Sequence, residues 1–109
     1  MKAELYIRCS CVNGEGPVWD EARQCLHFVD VLGNRIHTWE NGALTTVEVG
    51  ENIGCAVPRS GGGMVAGLLS GWSTVDLKNG EKQFLCDPEP NPRTRCNDGK
   101  ADPFGNLWI

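Results

Sequence analysis

Short runs rich in β-branched, aromatic and other apolar residues recur along this chain, and Gly, Pro, Asn and Asp clusters separate them. Such runs bounded by turn residues predict strands. Strands are expected over residues 4–12, 16–19, 25–31, 35–40, 44–49, 55–57, 64–68, 72–77 and 82–86. No stretch carries apolar residues at i, i+3, i+4 and i+7 for long enough to predict a helix. Fourteen glycines and six prolines suit tight turns between strands better than helix interiors. The expected class is all-β.

The pattern repeats. A shift of 38 residues lays Gly16 on Gly54, Leu26 on Met64, Gly33 on Gly71, and Asn41-Gly42 on Asn79-Gly80. Asn-Gly between strands predicts a type I′ hairpin turn, because both residues tolerate positive φ. A third copy opens near Arg95, where Gly105-Asn106-Leu107-Trp108 echoes Gly62-Gly63-Met64-Val65. About four strands per repeat of roughly 40 residues is the signature of propeller blades. Two blades and the start of a third do not close a ring of about four to eight. The last residues, Leu107-Trp108-Ile109, are an apolar run without a turn signal, and segment 4–12 has no partner strand of its own. Residues 1–109 are therefore expected to be the N-terminal part of a single, longer propeller domain.

Charge and cysteine content narrow the function classes. The net charge of −4 argues against polyanion binding, and Arg93 with Arg95 is too sparse for a phosphate-tracking stripe. Nucleic acid is not an expected partner. Lys2, Glu4 and Arg8 interrupt the N-terminus, which lacks the apolar core of a signal peptide. Residues 64–69, the longest apolar run, are too few to span a bilayer. A cytoplasmic protein without a membrane is the default, with its oligomeric state open. Six cysteines in 109 residues fall below the roughly 8–10% that marks a disulfide scaffold, so reduced, structural cysteines are expected. Cys9-x-Cys11 lacks the spacing of a redox or zinc motif and is expected to be a buried pair on one strand face.

Three segments carry a resemblance: GEGPVWDE at 14–21, LHFVDVLGNRIHTWE at 26–40 and RCNDGKADPFGNLWI at 95–109. With the weaker GCAVPRSGGGMVAGL at 54–68, the chain resembles the gluconolactonase/regucalcin family, also called the senescence-marker-protein family. One departure is Cys96, where members commonly carry a larger apolar residue. The resemblance implies a six-bladed β-propeller, one divalent metal ion (calcium, zinc or another dication) at the mouth of the central channel, and hydrolysis of sugar lactones. It also implies that Glu15 ligates the metal and that Arg95 and Asn97 contact substrate oxygens. The family's remaining ligands, an Asn and the Asp that serves as general base, would lie beyond Ile109, so no general base is expected in this chain.

The residue types suit those roles. A hard dication takes oxygen ligands, a guanidinium offers a rigid fork of donors, and an amide both donates and accepts. Read locally, Glu15 is an exposed turn carboxylate, Arg95 is a loop salt-bridge residue, and Asn97 heads an Asx turn at Asn97-Asp98-Gly99. Asp98 is a turn former or a neighbour of the site. His27 and His37 stand on different predicted strands and read as packing or surface residues. Asp20-Glu21 and Asp87 with Glu89 read as solvated turn acids, and Trp19, Trp39, Trp72 and Trp108 as blade packing. The resemblance leaves three rivals to a lactonase: a calcium-binding regulatory propeller, a propeller that offers its top face to a protein partner, and a hydrolase of organophosphates or other esters.

Overall fold

The computed structural model describes all 109 residues, with ten strands and no helix. Strands β1 (Gly14–Asp20), β2 (Cys25–Asp30), β3 (Arg35–Glu40) and β4 (Ala43–Glu48) form an antiparallel meander in chain order. Strands β5 (Ile53–Pro58), β6 (Met64–Leu68), β7 (Gly71–Val75) and β8 (Lys82–Cys86) form a second. The short pair β9 (Lys100–Ala101) and β10 (Leu107–Trp108) opens a third. Two four-stranded blades and the beginning of another are what the repeat predicts, and the chain is part of an all-β propeller.

The blades are held together by the faces that alternation makes apolar. Val29, Val31, Ile36 and Val49 from the first blade meet Ile53, Ala56, Met64, Ala66, Leu68 and Val75 from the second in one buried cluster. Its members include the inner strands β2, β5 and β6, and β1 and β2 both contact β5. Burial fades outward: β7 still alternates between buried and half-buried, whereas every residue of β8 is exposed. Innermost strands are thus the most firmly placed, and a site built on them inherits their rigidity.

Turn chemistry agrees with the sequence in one blade and departs from it in the other. Asn41 and Gly42 adopt φ of 51° and 80°, closing β3 on β4 with Glu40 opposite Ala43, the expected I′ hairpin. In the second blade β7 ends at Val75, short of the expected 77, and residues 76–81 form a wider loop. There Asp76 Oδ1 accepts from Lys78 N at 2.7 Å, and Gly80 N donates to Asp76 O at 2.8 Å. Leu77 packs against the core, so burying it draws the chain out of the ladder before the Asn-Gly pair.

Segment 4–12 forms no strand. Without a neighbouring edge its backbone groups have no ladder to join, and side chains hold it instead. Tyr6 meets Trp39 edge-on at 6.1 Å, while Asp30 accepts from Val12 N at 2.9 Å and Asn13 N at 2.8 Å. Cys9 and Cys11 are accordingly not a buried pair on a strand, since Cys9 is exposed and Cys11 half-buried. The tryptophans divide as well. Trp39 and Trp72 are half-buried, but Trp19 is 50% and Trp108 68% exposed, against the expectation of packing. Trp19 lies on the face of β1 opposite inward-turned Val18 and Asp20, and its Nε1 donates to Glu21 Oε2 at 2.8 Å.

Candidate functional site

Glu15 owes its direction to a bulge. β1 pairs Glu15 with Val29 and Val18 with His27, so two steps along β2 span three along β1. The extra residue is taken up at Gly16, with φ of 56°, a left-handed conformation that suits a residue without Cβ. Directly opposed residues of an antiparallel pair share a face, so Glu15 stands on the same face as Val18, His27 and Val29. That face looks toward β5, and Glu15 is its exposed end. The Glu15 carboxylate makes no hydrogen bond or ion pair within the protein, which leaves its oxygens free for a ligand.

The second blade repeats the device. β5 carries a register shift between Ile53 and Cys55, centred on Gly54. A Cβ at Gly54 would overlap the main-chain oxygens of Cys96 and Asn97, and Gly54 O lies 3.9 Å from where a Cβ of Gly16 would be. The two bulge glycines therefore let β1, β5 and segment 95–97 close on one another. Glu15 and Asn97 belong to adjoining stretches of backbone that are about 80 residues apart in sequence.

Arg95 and Asn97 come together directly. Arg95 Nη1 donates to Asn97 Oδ1 at 3.0 Å and to Cys96 O at 2.9 Å. The guanidinium thus holds the amide by its oxygen and leaves the Asn97 NH₂ as a donor pair. Both residues line a cleft of about 380 Å³ with Trp72, Asp87, Asp98 and Ile109; Glu15 is not among its lining residues. Asp98 Oδ1 accepts from Gly99 N at 2.8 Å, so this carboxylate shapes its own turn. As a donor set for a divalent metal, Glu15 has the right chemistry, yet one carboxylate is a fraction of the six to eight oxygens that calcium takes. It fits as a single ligand of a site completed by other residues.

The sequence reading missed a second group of polar side chains. His27 and His37 are 1% and 5% exposed, and each Nε2 faces a thiol, Cys25 Sγ at 3.4 Å and Cys11 Sγ at 3.6 Å. Each Nδ1 is fixed by a threonine on the next strand, Thr38 Oγ1 at 2.8 Å for His27 and Thr46 Oγ1 at 2.9 Å for His37. Burial is the main reason that both imidazoles are held below their ordinary pKa. For His27, Arg23 adds to it and Asp20 opposes it; for His37, Asp30 opposes it and Arg35 adds to it. Asp20, read as a solvated turn acid, is buried against His27 with 3.6 Å between Oδ2 and Nε2. The available signal was Cys25-x-His27, since residues two apart on a strand share a face.

Comparison with known proteins identifies the family. Residues 13–109 match the family described as SMP-30/Gluconolactonase/LRE-like region. The 6-deoxy-6-sulfogluconolactonase of Pseudomonas putida is 33% identical over 96% of this chain, and the regucalcin of Danio rerio is 31% identical over 99%. The chain spans about 37% of the length of each of these relatives. Among solved structures, a luciferin-regenerating enzyme superposes over 90% of the chain with a TM-score of 0.76 at 31% identity, covering 35% of that structure. A gluconolactonase of Xanthomonas campestris superposes with a TM-score of 0.72 at 20% identity, a likeness of fold, covering 34% of that structure. With the blades, both bulge glycines and the 95–97 segment in place, the chain belongs to the SMP-30/gluconolactonase/LRE-like family.

Proposed function

We propose that this chain supplies the first part of a metal-dependent sugar-lactone hydrolase, with Glu15 as a metal ligand and Arg95 and Asn97 as substrate-orienting residues. The observation that carries this reading is the convergence of Glu15's strand with the Arg95–Asn97 pair at the Gly16 and Gly54 bulges. A gluconolactonase among the relatives supports a sugar lactone as substrate class. Calcium or zinc, when bound, would polarise a lactone carbonyl and acidify water.

The chain's own residues prepare the rest. Glu15 offers an unengaged carboxylate at the exposed end of a buried strand face, so it holds charge without having to break a protein contact first. Arg95 offers a rigid fork of donors and fixes the Asn97 amide, whose NH₂ then aims two hydrogens at a ring or carbonyl oxygen. Donors held in place before reaction stabilise charge that develops in the transition state without reorganisation.

The test is pH-stat hydrolysis of gluconolactone and a panel of other lactones by the full-length protein, with calcium or zinc at saturation. Glu15→Gln keeps the shape and removes the charge, so metal affinity and turnover should fall together. Arg95→Lys leaves metal affinity unchanged but frees the Asn97 amide. Turnover should drop about 10²–10³-fold if the pair acts on the developing oxyanion. A loss confined to KM would instead assign the pair to uniform substrate binding. Unchanged kinetics in both variants would refute these roles, and tight metal binding with no turnover on any lactone would refute the hydrolase.

A further inference from the structure

We propose that Asp20, Cys25 and His27 form a structural site for a zinc-class ion, separate from the oxygen-ligand site to which Glu15 contributes. The three residues sit at the closed end of the β1–β2 hairpin, where Asp20 pairs with Cys25 and His27 follows two residues on, so all three share one face. Glu15 is five residues away along β1, on the order of 15 Å by strand rise, too far to join the same ion. The donor atoms of Asp20, Cys25 and His27 lie within 4.8 Å of one another.

Spacing and chemistry favour a tetrahedral ion. Zinc with bonds of about 2.3 Å to sulfur and 2.0–2.1 Å to nitrogen places those two donors about 3.5–3.6 Å apart at a tetrahedral angle. Cys25 Sγ and His27 Nε2 are 3.4 Å apart, and His27 Nε2 and Asp20 Oδ2 are 3.6 Å apart. Thr38 Oγ1 on Nδ1 at 2.8 Å is the outer partner that ligating histidines use: with the proton on Nδ1, the Nε2 lone pair faces the gap. Asp20 has a spare oxygen, because Oδ1 accepts from Arg23 N at 3.0 Å while Oδ2 takes no hydrogen bond. Its side chain, 11% exposed, is the rim through which an ion and a fourth ligand, water, can enter. Cys25 is wholly buried, which rules out a thiol nucleophile reaching a substrate. Both thiol and carboxylate lie on the same Nε2, not on opposite ring nitrogens as a catalytic relay needs.

The neighbouring Cys11–His37 pair is an internal contrast. Its carboxylate, Asp30, already spends both oxygens on Val12, Asn13 and Gly33 N–H groups, at 2.8 to 3.1 Å. That set is an anchor, and the free oxygen of Asp20 is what distinguishes the proposed site.

Titration of the reduced full-length protein with cobalt(II), followed by zinc competition, reads the site directly. The site should give tetrahedral d–d bands and a thiolate-to-cobalt charge-transfer band, the latter beyond the reach of an oxygen-only site. Cys25→Ser should abolish the charge-transfer band and Cys11→Ser should leave it. Asp20→Asn, on the rim, should weaken binding at least about tenfold, and Thr38→Val by about 10–100-fold. Should Cys25→Ser fail to fold by circular dichroism, these last two variants decide. Absence of a thiolate band in the unmodified chain would overturn the proposal. So would a band lost in Cys11→Ser but kept in Cys25→Ser, or unchanged affinity in both Asp20→Asn and Thr38→Val.

Discussion

Asp30 shows how much one buried side chain can organise. It is fully buried, and burial by itself would raise its pKa. Backbone N–H groups of Asn13, Val12 and Gly33 outweigh that and hold it below the usual carboxylate range. A folded pKa below the unfolded value of about 3.9 means stability that is complete above that pH and lost as pH falls through the folded pKa. Asp30→Asn keeps the size but replaces a two-oxygen anion with one oxygen and an unwanted donor. It should destabilise the chain by about 2–3 kcal/mol at pH 7, read by urea unfolding, and flatten the acid limb below pH ~4. A variant with an unchanged midpoint would mean that Val12 and Asn13 find water without loss. Sequence offered part of this. An Asp three residues before a glycine predicts a turn, but nothing local says that the same carboxylate also clamps residues 12 and 13. Glu15, Arg95 and Asn97 were legible only as members of motifs, and the Arg95–Asn97 hydrogen bond became visible only with the loop folded.

At the level of elements, strand positions were legible because strand-forming runs and the turn residues between them are local properties, and most expected spans agree with β2, β3, β4, β6 and β8 to within a residue. What such a local pattern misses is phase. The Gly16 bulge puts Glu15 and Val18 on one face although they are three apart, which a period of two would separate. Gly54 is the element-scale lever on the candidate site. In Gly54→Ala the new methyl meets main-chain oxygen, which yields less readily than a side chain. Overpacking of this kind should cost about 1–3 kcal/mol, and displacing segment 95–97 should raise KM for lactone in the full-length protein. Gly61→Ala is the matched control, since its Cβ would meet only the Arg59 side chain at an ordinary 3.5 Å, and its effect should stay within about 0.5 kcal/mol. Equal behaviour of the two variants would remove Gly54 from the description of the site.

Across the whole molecule, the two buried histidines set a pH response that neither strand would have alone. Burial lowers the folded pKa of His27 and His37, so below the unfolded value of about 6.5 the unfolded chain holds protons that the folded chain refuses. Stability is then full above pH ~6.5 and declines as pH falls beneath it, by up to about 1.4 kcal/mol per pH unit for each histidine. Urea unfolding in the presence of a chelator should show a lower midpoint at pH 5.5 than at pH 7.5. A His27→Gln, His37→Gln double variant should lose most of that difference. A pH-independent midpoint in the unmodified chain would show that the imidazoles stay accessible to protons in the folded state.

The sequence by itself determined the all-β class, the blade repeat, most strand positions and the first hairpin turn, because each depends on near neighbours and on the two-residue period of an extended chain. It also determined family membership, through short motifs whose residue types survive in linear order. Tertiary structure decided the rest, for reasons of packing between distant segments. Segment 4–12 reads as a strand-forming run but finds no edge to pair with, and Leu77 leaves the ladder to reach the core. Asp20 is buried against His27, which shares its face from the neighbouring strand, and Arg95 holds Asn97 in a loop that Gly54 lets lie close on β5. Strand order is written in single residues, whereas a site made where two blades and a loop meet exists only once the chain has folded.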